Sequence, residues 1–118
     1  MITPQIKSLM SPDTDRPNLP DDPQNCSVFC EAEIGSTNSE GADIFSFTVA
    51  TPSALTSETR FLWGRGLLIV PSFSWETVDL ALARLLAKAI RPTWPEVVQE
   101  LCKNMHWEFE DYRESKRG

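Results

Sequence analysis

Histidine occurs once in this chain, at His106, and that scarcity narrows the chemistry at once. A lone imidazole has no second histidine and no cysteine set beside it to complete a usual zinc site. Serine–histidine–aspartate catalysis would have to run through that one residue, and no G-x-S-x-G elbow is present to support it. Neither G-x-x-x-x-G-K-[ST] nor G-x-G-x-x-G occurs, so no phosphate-binding loop is signalled. No apolar run approaches the roughly 18 residues of a membrane span, so no spanning segment and no membrane partner are expected. Positive charge is also short. Lys and Arg total 11 against 17 Asp and Glu, for a formal charge of −6. Direct nucleic-acid binding needs a basic surface that displaces counterions, and this balance argues against it. Internal repeats and heptads are lacking too.

The acidity is unevenly placed. Residues 1–83 hold 11 acids and 4 bases, whereas residues 84–118 hold 6 acids and 7 bases. An acidic two thirds suits a basic protein partner. Plain solubility accounts for the same charge. Cysteine numbers three, at positions 26, 30 and 102. In a strand, Cys26 and Cys30 would stand about 13 Å apart, far beyond the reach of a disulfide. Reduced, buried thiols are the expectation, and with them a reducing, cytoplasmic location. The opening Met1-Ile2-Thr3-Pro4-Gln5 lacks the charged and apolar regions of a signal peptide.

What is present reads as one α+β domain over residues 1–118, with 41% hydrophobic content to supply a core. Residues 5–10 suggest a short first strand. Residues 11–25 carry four prolines and four aspartates, which neither a central strand nor a helix interior accepts. They form a long acidic loop, functional or merely connecting. Residues 26–35 alternate, with Val28, Cys30, Ala32 and Ile34 on one face and Phe29, Glu31 and Glu33 on the other. Residues 42–50 alternate again through Phe45, Phe47 and Val49. The turn-rich 35–41 between them makes an antiparallel hairpin. Phe29 among carboxylates would be a binding patch if bare; a neighbouring element covering it is the expectation. Residues 52–60 suggest a helical turn or loop. Leu67-Leu68-Ile69-Val70, stopped by Pro71, reads as a strand buried on both faces.

Two helices follow. Ser74 is placed to cap the first, with Phe73 set to staple onto Val78. Val78, Ala81, Leu82, Leu85, Leu86, Ala89 and Ile90 recur at spacings of three and four until Pro92. Thr93-Trp94-Pro95-Glu96 is a capping box with proline in the first turn. Val97, Val98, Leu101, Cys102 and Met105 form the second stripe. The expected architecture is a small antiparallel sheet of about four strands, two C-terminal helices on one face, and an extended aromatic tail.

That tail, His106-Trp107-Glu108-Phe109-Glu110-Asp111-Tyr112-Arg113, concentrates rings and carboxylates. If extended, Trp107, Phe109 and Asp111 point one way and His106, Glu108, Glu110 and Tyr112 the other. Two rings on one face imply that the tail docks back as an edge strand or clamp. His106 with Glu108, Glu110 and Asp111 is also the strongest enzymatic candidate, a metal- or acid/base-dependent site. H-x-E spacing alone specifies such a site poorly.

The order of motifs resembles the immunity protein 8 family of bacterial polymorphic toxin systems. The matching pieces are Ser11-Pro12-Asp13, Phe45-Ser46-Phe47-Thr48-Val49-Ala50-Thr51-Pro52, and Trp63-Gly64-Arg65-Gly66-Leu67-Leu68-Ile69-Val70. Thr93-Trp94 and Trp107-Glu108-Phe109-Glu110-Asp111-Tyr112 are the most specific. The resemblance departs at 53–62, and Gly66 stands where the pattern has histidine. It implies a small cytoplasmic protein, encoded beside a toxin, that binds the toxin domain and blocks it without catalysis or cofactor. An acidic surface with aromatic anchors suits that task. Expected contacts with a basic cognate toxin domain are Asp21 and Asp22 in the loop, Glu31 and Glu33 on the hairpin, and Glu108 and Glu110 on the tail. Trp94, Trp107 and Phe109 are expected in the core, and Arg65 is expected to pair with Asp111. Oligomeric state is left open.

Overall fold

A computed structural model describes residues 1–56 and 61–110. The elements run β1 (Pro4–Met10), β2 (Ser27–Ser36), β3 (Asp43–Ala50), α1 (Pro52–Thr56), β4 (Leu67–Ile69), α2 (Trp75–Ala87), α3 (Trp94–Leu101) and β5 (His106–Trp107). The α+β architecture is as expected from the periodicities. The sheet, however, is mixed rather than antiparallel. β1, β2 and β3 pair antiparallel in chain order, β4 joins β3 in parallel, and β5 joins β3 antiparallel.

The hairpin register explains the alternation. Phe29 faces Thr48, Glu31 faces Ser46 and Glu33 faces Ile44 on one surface. Val28, Cys30, Ala32 and Ile34 with Phe45, Phe47 and Val49 lie on the other and are buried. Val78, Leu82, Leu86, Val97, Val98, Leu101 and Met105 join these side chains in a single core cluster, so α2 and α3 cover that face. Ser74 Oγ accepts from Thr77 N at 3.1 Å, and Thr93 Oγ1 accepts from Glu96 N, so both predicted N-caps form. Phe73 is buried but meets Trp75 edge to face, with ring centroids 5.1 Å apart. The first stripe runs out early. α2 ends at Ala87, and Ile90 stays partly exposed at the corner before α3.

β3 has one edge left after pairing with β2, and two short strands divide it. β5 takes Phe45 and Ser46, and β4 takes Thr48, Val49 and Ala50. This corrects the reading of β4 as a strand buried on both faces. It lies at the sheet margin, with Leu67 and Leu68 half-buried and Ile69 56% exposed. A four-residue apolar run cannot by itself distinguish a margin from a centre.

The acidic loop is strapped onto α2. Arg16 forms a bidentate pair with Asp79 at 2.9 and 2.6 Å. The same guanidinium lies over the Trp75 ring, 5.5 Å from its centroid. Trp75 Nε1 donates to Asn18 O at 2.8 Å, and Phe73 N donates to Pro23 O at 2.8 Å. Asp13 Oδ2 accepts from Phe29 N at 2.9 Å, closing the start of β2.

Candidate functional site

Trp63-Gly64-Arg65-Gly66 forms the junction between β4 and β5. Leu67 N donates to Gly64 O at 3.2 Å, closing a tight turn. Gly66 adopts φ 81°, the left-handed conformation that glycine enters without steric penalty. The turn is tied on both sides: Gly66 N donates to Asn104 O at 3.0 Å, and Gly66 O accepts from Thr48 N at 2.7 Å. A β-carbon at Gly66 would come within 2.6 Å of His106 Nε2, so the imidazole occupies the space that the absent side chain leaves.

Arg65 clamps this junction. Its Nε donates to Cys102 O at 2.7 Å, and Nη2 donates to Met105 O at 2.9 Å. Nη1 reaches Glu110 Oε2 at 2.9 Å, while Nη2 also donates to Glu110 Oε1. One planar side chain thus joins the turn before β4, the end of α3, the start of β5 and the tail. The guanidinium, helped by Trp107 N, holds the Glu110 carboxyl down at a pKa of about 2. Arg65 therefore pairs with Glu110. Asp111, the expected partner, lies outside the described residues, as does Tyr112.

The tail docks as predicted, but its extended part is short. Among the described residues of the tail, only His106 and Trp107 pair with β3; Glu110 N then donates to Trp107 O at 3.0 Å and the chain turns. The period-two reading is corrected for Glu108 to Glu110; its continuation to Asp111 and Tyr112 lies outside the described residues. Glu108 and Glu110 do not share a strand face. Glu108 N donates to Ile44 O at 3.0 Å while its carboxylate accepts from Ile44 N, whereas Glu110 folds back to Arg65.

Asp43 is the residue that pattern reading missed. Its Oδ2 accepts from Trp94 Nε1 and from Trp107 Nε1, each at 3.0 Å. One carboxylate oxygen thereby fixes the start of α3 and β5 to the head of β3. Both indoles are half-buried rather than fully in the core, and Phe109 is 41% exposed, its ring 5.4 Å from that of Trp107. A lone aspartate after a turn gave no sign of this role, since both of its partners are more than 50 residues away.

The helix-free face of the sheet carries part of the expected contact set. Across the strands, Met10, Glu31, Ser46 and His106 form one row, and Ser8, Glu33 and Ile44 form the next. Glu33 is exposed and accepts from Ser8 Oγ at 2.5 Å; Glu31 is half-buried. Phe29, next to Glu31 on that face, is 39% exposed, so it is covered only in part. Asp21 and Asp22 belong to the strapped loop, where Asp22 Oδ1 accepts from Gln24 N at 3.1 Å. The six carboxylates are thus divided among the sheet face, the tail and the loop.

His106 Nδ1 lies 3.6 Å from Glu110 Oε2, beyond a hydrogen bond, and that carboxylate is already committed to Arg65. No group of three potential metal ligands occurs among the described residues. All three cysteines are free. Burial pushes Cys30 up to about 12 and raises Cys26 and Cys102, so none is an activated nucleophile. Among the described residues, no helix is long and apolar enough to cross a membrane.

The family model of immunity protein 8 matches residues 4–112, nearly the whole chain. No curated protein and no solved structure matches.

Proposed function

The chain belongs to the immunity protein 8 family, and from that premise we propose that it binds a cognate toxin domain and neutralises it by stoichiometric contact. The observation that carries this reading is the mixed acidic and apolar surface that the fold leaves uncovered. Phe29, Glu31 and Glu33 follow one another along the helix-free face of β2, with the partly exposed ring at one end, and Glu108 stands beside Ile44 at the edge of that face. Carboxylates beside an apolar ring suit a basic partner: charge speeds encounter, and desolvated rings supply the binding energy. The toxin domain is correspondingly basic on the surface that docks.

The proposed contacts have unequal roles. Glu31, Glu33 and Glu108 meet the toxin directly, and Asp21 and Asp22 add to the long-range field. Glu110 acts from behind, by holding the tail against Arg65. Family membership points away from catalysis, and the His106 cluster gains no geometric support as an alternative. Three free thiols suit action in a reducing cytoplasm.

Co-expression in a sensitive bacterium tests the proposal. Cells making the toxin domain should survive only when this chain is present, and the two proteins should copurify at low salt. Survival conferred by a variant that no longer binds the toxin would defeat it.

A further inference from the structure

Trp63 is 89% exposed, the adjoining Leu62 54% and Phe61 81%. Three consecutive large apolar side chains in solvent form a patch of the kind that marks an interaction site. Their setting makes this patch more than a stray loop. The residue after Trp63 begins the turn that Gly66 and Arg65 fix, and Arg65 spends its donors on Cys102 O, Met105 O and Glu110. Trp63 is thus carried outward on a pinned base. Pre-ordering of that base lowers the entropy lost on binding, and tryptophan is among the residues enriched at binding hot spots.

The charge around this base selects the partner. The turn adjoins His106, and in the sheet register Glu31 lies two strands inboard of His106, about 10 Å away. Glu108 follows on the β5 side, one row further along β3. Among the described residues here, the Arg65 cation is paired with Glu110. With Arg65 paired, Glu31 and Glu108 are the carboxylates of the neighbouring sheet among the described residues, and an apolar anchor beside them fits a hydrophobic pocket with a basic rim.

We propose that Trp63, flanked by Phe61 and Leu62, is the anchor that enters an apolar pocket on the toxin domain, while Glu31 and Glu108 meet lysines or arginines on the pocket's rim. This inference rests on the toxin-binding reading and assigns it a centre. The Trp-Gly-Arg-Gly motif then has a divided purpose. Its last three residues build the clamp, and its first is what the clamp presents.

Calorimetric titration of the full chain with the toxin domain encoded beside it tests the assignment. Trp63→Ala should weaken binding at least about 30-fold, the effect of truncating a hot-spot residue. Trp63→Phe should recover part of the loss. Thermal melting of both variants should match that of the unaltered chain, because so exposed a side chain contributes little to the fold. Unchanged affinity in Trp63→Ala would overturn the anchor while leaving toxin binding intact. Absence of binding by the unaltered chain would overturn both. Sedimentation of the chain alone adds a further check. A dimer that Trp63→Ala dissolves would assign the patch to a second copy and refute the proposal.

Discussion

Replacing Arg65 with alanine removes four donor contacts from one point in the fold. Two of them serve the main-chain carbonyls of Cys102 and Met105, each worth about 1 kcal/mol net when made by protein rather than water. The other two serve Glu110. Full linkage from an unfolded pKa of 4.5 to a folded value of about 2 would give roughly 3 kcal/mol. The side chains are 39% and 33% exposed, however, so screening reduces that part to about 1 kcal/mol. The total is about 3 kcal/mol, or a fall in melting temperature of about 12 °C for a domain of this length. Urea unfolding measures it directly. The pH dependence separates the two parts. Glu110 has a depressed folded pKa, so its contribution is complete above 4.5 and is lost as pH falls through about 2. The difference between Arg65→Ala and the unaltered chain should therefore shrink to about 2 kcal/mol at the acid end, where the carbonyl contacts remain. A double-mutant cycle with Glu110→Ala should give about 1 kcal/mol of coupling near neutral pH. Loss of less than about 1 kcal/mol in Arg65→Ala, or no coupling to Glu110, would refute the clamp.

Two further substitutions probe the same junction. Gly66→Ala meets both a positive φ and the His106 ring at 2.6 Å, and should cost about 2–3 kcal/mol. Adding His106→Ala should restore only the steric share of that loss, as read by chemical denaturation; full restoration would show that the backbone conformation contributes nothing. Asp43→Ala leaves two half-buried indole N–H groups without their acceptor and should cost about 2–3 kcal/mol. It should also shift tryptophan emission to the red as Trp94 and Trp107 loosen, and unchanged emission and stability would contradict the role given to Asp43.

The parts of the fold that local chemistry dictates were legible in the chain. Alternation over 26–35 and 42–50 placed the hairpin and its core face, because period two leaves no other way to bury Val28, Ile34, Phe45 and Phe47 together. Ser74 and Thr93 announced the two helices because capping is decided within four residues. Long-range choices were not legible. Whether Leu67–Ile69 ran parallel to β3, or lay at the margin, depends on how the chain returns after α1. Arg65 was expected at the tail, where it meets Glu110; the turn after Trp107 that brings Glu110 to it has no local signal, and Asp111 lies outside the described residues. Asp43 gave no signal because its two partners come from distant elements. Of the expected contacts, Glu31 and Glu33 stand on the helix-free face as the alternation requires, while no local pattern signalled the 89% exposure of Trp63.

Titration of toxin activity with purified chain tests the central claim most directly. With the toxin domain well above the dissociation constant, stoichiometric neutralisation predicts a linear fall in activity that reaches its end at one equivalent, and a complex that high salt weakens. Complete inactivation by a small fraction of an equivalent would mark the chain as a catalyst acting on the toxin. Full toxin activity beside several equivalents of folded chain would contradict neutralisation outright.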